Sequence, residues 1–241
     1  MRIVVHGQQA FGKAVLEALL KRGENVVAVY VAPEKPGAKA DPLKEAALAA
    51  KLPVYQPASY RKPEVWAEFK ALKPDLQVMA FVTLFVPEDF LNIPTHGSIQ
   101  YHPSLLPAYR GASAINWPII KGEKETGLSI FWPDNGLDTG DVLVQKKTPI
   151  SDTDTLGTVY FDRLFPMGVE AMLESVDLLP GLAPVDLGVL RRAAALVRRF
   201  VVVLLDARRL AGLYEINAFH HRLDAERKQP VEVNRAERVG R

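Results

Sequence analysis

From its second residue the chain alternates short apolar, β-branched runs with stretches of helical periodicity. Residues 2–6 read as a buried strand, 11–21 as a helix with Phe11, Val15, Leu16, Leu19 and Leu20 on one stripe, and 25–31 as a second strand. A pattern that keeps switching between period 2 and period 3.6 builds βαβ units, and these close only into a mostly parallel sheet covered on both faces. The alternation continues through a Pro- and Gly-rich loop, a helix over 42–51, a short strand over 52–55 and a helix over 63–72 with Trp66 and Phe69 turned inward. A core strand over 75–82 follows, with further strands over 97–101, 127–132 and 141–150. A helix is expected over 112–121, made less regular by Pro118, and a long helical pattern over 155–179. The fold class this implies is α/β: a doubly wound, Rossmann-like, mostly parallel sheet with a mixed edge near residues 127–150 and an irregular or helical C-terminal tail. Ligands of such sheets bind outside the carboxyl ends of the strands.

Composition narrows the classes further. The 241 residues are 48% apolar and 24% charged, ordinary for a globular chain. With no cysteine there is no disulfide framework, thiolate nucleophile or Cys-based zinc site. No apolar run is long enough to span a bilayer, and the N-terminus lacks the pattern of a signal peptide. A cytoplasmic protein with no membrane partner is expected. The formal charge of +2 is unevenly spread: residues 1–180 hold 13 Lys and 5 Arg against 21 acids, residues 181–241 hold 1 Lys and 11 Arg against 7 acids. Two units are therefore expected, a body over 1–180 and an atypical Arg-rich tail over 181–241. That tail reads as a nucleic-acid or membrane arm, a packed helix, or the product of a shifted or truncated reading frame. The adjacent His220 and His221 make a weak metal pair.

The motifs exclude much. The first βα turn, HGQQAFG over residues 6–12, is one glycine short of the dinucleotide fingerprint, which disfavours NAD without closing that reading. No Walker A, G-x-S-x-G or H-E-x-x-H motif is present. Two other segments are richer. GSIQYHPSLLPAYRG over 97–111 places His102 at the end of a strand, before prolines that force an irregular loop. PDNGLDTGD over 133–141 sets three acids and two glycines between apolar strands. Its spacing does not match an EF-hand, and Asp and Asn there equally suit turn capping.

Together these segments are more specific than either alone. HPSLLPAYRGASAINW over 102–117 and GLDTGDVLVQ over 136–145 resemble the folate-dependent formyltransferase family. The likeness covers residues 1–179 and is nearest to the hydrolase domains that act on 10-formyltetrahydrofolate. It implies a formyltransferase fold and transfer of the formyl group of 10-formyltetrahydrofolate, a cosubstrate, to water or an amine, with no metal. His102 and Asp138 match the catalytic histidine and aspartate. Gln100 stands where the family usually has asparagine, its longer amide still able to donate. Leu84, Phe85 and Val86 match the backbone that holds the pterin ring, and the loop carrying Asp134 and Asn135 its other wall. Two alternatives stay open: a methionyl-tRNA formyltransferase with initiator tRNA as partner, and a folate-binding module without turnover. The short loop over 32–42, with only two lysines, and the acidic body make nucleic acid an unlikely partner. The resemblance also implies a C-terminal barrel domain, which residues 181–241 are not expected to form.

Overall fold

In a computed structural model, which describes residues 1–35 and 37–179, the alternation resolves into one seven-stranded sheet. Its strands are β1 (Arg2–Gly7), β2 (Asn25–Val31), β3 (Val54–Tyr55), β4 (Leu76–Ala80), β5 (Ser98–His102), β6 (Glu125–Phe131) and β7 (Val142–Pro149), in the order β3-β2-β1-β4-β5-β6-β7. β1 to β5 pair parallel, whereas β5–β6 and β6–β7 pair antiparallel. This is the expected doubly wound sheet with a mixed edge.

The period of two divides the strands between two cores. Ile3 and Val5 of β1, Val78 and Ala80 of β4, and Ile99 and Tyr101 of β5 face one way. They pack against α1 (Gln9–Lys21), through Phe11, Val15, Leu16 and Leu19, and against α7 (Phe165–Leu178), through Ala171, Met172 and Val176. Gly168 of α7 lies so close to the Tyr101 and Phe11 rings that a side chain there would collide with both. Arg22, at the end of α1, donates to the Leu173 carbonyl and to Asp177, clipping α1 to α7. The alternate residues, Val4 and Met79 among them, face Tyr30, Tyr60, Phe69 and Phe90 around α3 (Pro63–Ala71) and α4 (Glu88–Leu91). α2 (Pro42–Ala49) packs beside α1.

Two helices depart from the expected bounds. Of the helix expected over 112–121 only α5 (Asn116–Ile120) forms, because Gly111 and Ser113 take left-handed backbone (φ 77° and 63°) just before it. The pattern over 155–179 splits into α6 (Leu156–Val159), a wider turn over Tyr160–Leu164, and α7. Pro166 explains the break, since it has no N–H to continue the i→i−4 ladder and is tolerated in the first turn of a new helix. Among the described residues no helix is long and apolar enough to cross a membrane. The expectations for residues 181–241 lie outside the described residues.

Candidate active site

His102 is the last residue of β5, opposite Ser129 of β6. Beyond it Pro103 and Pro107 prevent regular structure, so the polar backbone must find side-chain partners. Ser129 Oγ donates to the Ser104 carbonyl (2.8 Å) and accepts from Leu106 N (3.1 Å). Gln145 of β7 donates to the Leu106 carbonyl (3.0 Å) and to Ser129 Oγ (2.9 Å), and Ser104 Oγ donates to the Ala108 carbonyl (2.7 Å). The antiparallel edge thus acts as a mould for the loop. It leads the chain to Tyr109, whose left-handed backbone (φ 54°) turns its carbonyl toward His102 Nε2 at 2.9 Å. The Tyr109 hydroxyl donates to Glu123 (2.6 Å), and Lys121 lies 5.1 Å from its ring centroid. Burial, with Glu123 beside it, raises this phenol to about 12.

Asp138 arrives from the other motif. Because β6 runs antiparallel, its end at Phe131 is level with Gln100 and not with the carboxyl end of β5, so the 132–141 segment must fold back to reach His102. Close packing makes this possible: a Cβ on Gly140 would overlap the Trp132 carbonyl, and one on Gly136 the Thr139 hydroxyl. Asp134 holds the bend by accepting from Gly136 N (2.8 Å) and Thr139 Oγ1 (2.5 Å). Asp138 then sits in left-handed backbone (φ 50°), accepts Gly111 N at Oδ2 (2.8 Å) and places the same oxygen 3.4 Å from His102 Nδ1. Both side chains are nearly buried, at 7% and 9% exposure.

The partners fix the imidazole. A carbonyl oxygen only accepts, so Nε2 carries a hydrogen for Tyr109, and Nδ1 is left facing a carboxylate. A proton between Nδ1 and Asp138 satisfies both; without it two acceptors face each other. Phe81, Tyr109, Ser113 and Asp138, four of the seven left-handed non-glycine residues among the described residues, lie on the loops leaving β4, β5 and β6. Backbone strain of this kind concentrates at functional sites.

The remaining candidates are placed as follows. Gln100 shares a sheet face with His102 by the two-residue period. It is half-buried, and among the described residues its amide has no hydrogen-bond partner. Leu84, Phe85 and Val86 lie on the loop leaving β4, the strand beside β5; Val86 is buried, Leu84 packs on the core, and Phe85 is 59% exposed with Arg61 over its ring. The Asp134 carboxylate is engaged in turn capping within its own loop, while Asn135 is exposed. Sequence reasoning missed Tyr109, Gly111, Ser129 and Gln145. Tyr109 and Gly111 act through backbone atoms, which no residue-type pattern marks, and polar residues on strands resemble ordinary surface positions.

A doubly wound sheet with a His–Asp pair where two loops meet, at the end of a parallel strand, defines an α/β protein with a polar pair held beside its strand ends. Residues 1–176 match the family described as formyl transferase, and the chain belongs to it. It is 46% identical over 184 residues to the cytosolic 10-formyltetrahydrofolate dehydrogenase of Xenopus tropicalis, a match covering 74% of this chain and 20% of that protein. Identity to the methionyl-tRNA formyltransferase of Marinobacter nauticus is 42%, covering 74% of this chain and 59% of that one. The crystal structure of phosphoribosylglycinamide formyltransferase from Bacillus halodurans superposes with a TM-score of 0.60 at 27% identity, over 72% of this chain and 95% of that one. The chain therefore spans about a fifth of the dehydrogenase it resembles.

Proposed function

We propose that this chain transfers the formyl group of 10-formyltetrahydrofolate to water or a small amine. The observation that carries the reading is the His102–Asp138 pair, set at 3.4 Å and pinned by the Gly111 N–H and the Tyr109 carbonyl. With Nε2 engaged by Tyr109, Nδ1 is the working nitrogen. Attack on the formyl carbon puts negative charge on the formyl oxygen, which preorganised donors must meet. Protonated His102 and the Gln100 amide are those donors. The Asp138 carboxylate takes the proton from the attacking water. Collapse of the tetrahedral adduct breaks the bond from carbon to N10, and N10 takes a proton from His102. Asp138 then returns its proton to His102, and the sum is one water consumed, with tetrahydrofolate, formate and one proton released. No residue in this sequence of steps calls on a metal.

The exposed Phe81, Phe85 and Leu137, on the loops leaving β4 and β6, offer apolar surface for a flat ring system beside backbone that can hydrogen-bond its edge. The cytoplasmic setting expected from the sequence stands with this proposal and rests on the cytosolic enzymes among the relatives.

Formyl release from 10-formyltetrahydrofolate, followed with water alone, with small amines and with charged initiator tRNA, tests the reading and separates the acceptors. Release with water or an amine supports it, and release only with the tRNA gives the site to a tRNA formyltransferase. Folate binding without release under any condition sinks the catalytic reading in favour of a binding module.

A further inference from the structure

The HGQQAFG turn takes no part in the chemistry above, yet it lies at the same edge of the sheet. β1, β4 and β5 are adjacent and parallel, so at ordinary strand spacing the end of β1 is about 10 Å from that of β5. Gly7 passes the Ala80 carbonyl so closely that any Cβ would overlap it, and Gln8 N donates to that carbonyl (3.2 Å). The chain then turns through Gln9 (φ 60°) into α1. In a doubly wound sheet the start of this helix is a ready place for an anion, since its first N–H groups lack internal partners.

Here a side chain of the protein fills that place. Gln9 N, the first N–H of α1, donates to both oxygens of Asp41 (3.0 and 2.9 Å). Asp41 also caps α2, accepting from Leu43 N at 2.9 Å, with Pro42 at the first helical position. Two helix N-termini therefore converge on one carboxylate, the arrangement their dipoles favour. Asp41 is buried, and its own N–H donates to Glu34 (3.1 Å), so a second carboxylate stands behind the first. Lys44 is paired to Glu34 and contributes no net positive field.

We propose that Asp41 determines acceptor specificity: by occupying the anion position at the start of α1, it restricts this enzyme to acceptors that carry no phosphate there. The inference rests on the formyl-transfer reading and narrows its acceptor to water or an unphosphorylated amine. The phosphoribosylglycinamide formyltransferase among the relatives is named for an acceptor that does carry a phosphate. Such a group arriving here meets a buried carboxylate that already holds the first N–H of the helix.

The test compares wild type with Asp41→Ser, which keeps a capping oxygen for α2 but removes the charge, and with Asp41→Asn, which keeps the shape. Each is melted in inorganic phosphate and in sodium chloride of matched ionic strength. Wild type is expected to melt at the same temperature in both, while Asp41→Ser gains about 4 °C in phosphate at a concentration well above a millimolar dissociation constant. A phosphate-specific rise in wild type overturns the proposal, as does its absence from both variants when they fold. If neither variant folds, wild type decides alone: formyl transfer to an amine bearing a 5-phosphoribosyl group overturns the proposal, and refusal of that amine alongside use of its dephosphorylated form supports it. Loss of formyl release with every acceptor would instead remove the formyl-transfer reading, because the phosphate melts report on Asp41 without any folate.

Discussion

His6 and His102 lie on the same face of the same sheet, two strands apart, and their surroundings make them chemically opposite. His6 is fully enclosed. Gln77 Nε2 donates to its Nδ1 (2.8 Å), its Nε2 meets the Tyr60 hydroxyl (2.8 Å), and Gln77 Oε1 takes a hydrogen bond from Ser98 (2.9 Å). Every partner is neutral, and burial pushes this imidazole down from 6.5 to about 3. His102 has a carbonyl on one nitrogen and a carboxylate facing the other. The sheet supplies a rigid position in both cases, and the proposed function asks the partner's charge to decide whether the ring packs or handles protons.

If that contrast is right, substitutions at the two histidine sites should fail in different ways. The largest effect is expected at the acidic partner. Asp138→Asn keeps an acceptor for Gly111 N but loses the charge, and formyl release should fall by roughly 10² to 10⁴-fold, the usual weight of a positioned acid–base group. Folate affinity and urea midpoint should stay close to wild type. A variant that keeps most of its turnover, or that loses its fold, breaks the comparison from the His102 side.

The mirror experiment concerns folding. His6→Ala opens a cavity and strips partners from Gln77 and Tyr60, so a loss of about 2–4 kcal/mol is expected from equilibrium urea unfolding. Acid should act through the same ring. The folded state holds His6 unprotonated while the unfolded chain binds a proton below pH 6.5, so its contribution is complete above about 6.5 and declines as pH falls toward 3. The slope is about 1.4 kcal/mol per pH unit, or about 2 kcal/mol between pH 6.5 and 5. His6→Gln should remove that part of the slope, as read from urea midpoints across the range. An unchanged slope would mean that His6 is not held neutral and would erase its contrast with His102.

The same pair shows what a sequence discloses. The sheet was legible because its signal is local: each β-branched run and each apolar stripe announces its own element, down to the inward Phe69 and the stop at Gly23. Helix limits depart from the apolar period where one residue overrides it, at Ser113 in left-handed backbone and at Pro166 in a nascent helix. His102 and Asp138 were visible as motifs, but their approach depends on an antiparallel β6 and on a loop folding back through Gly136 and Gly140, neither of which is a local property. Asp41 is intermediate. Asp-Pro-Leu announces the start of α2, but nothing near it in sequence reveals a second partner at Gln9. His6 looked like one more strand residue, since its network joins β1, β4, β5 and Tyr60 across 92 positions.

The smallest expected effect probes what holds His102 in place. The Tyr109 carbonyl fixes the Nε2–H form of the ring, and the Tyr109 side chain is tethered by its hydroxyl on Glu123. That hydroxyl contact is exposed, so Tyr109→Phe should cost no more than about 1 kcal/mol of stability. Turnover should drop only a few-fold with KM for the folate unchanged, because the carbonyl remains and only its restraint is loosened. Glu123→Gln, which leaves an acceptor for the hydroxyl, should restore most of the rate lost in Glu123→Ala. Should Tyr109→Phe prove as damaging as Asp138→Asn, the carbonyl anchor rather than the carboxylate would set the behaviour of His102, and partner charge would no longer explain why the two histidines differ.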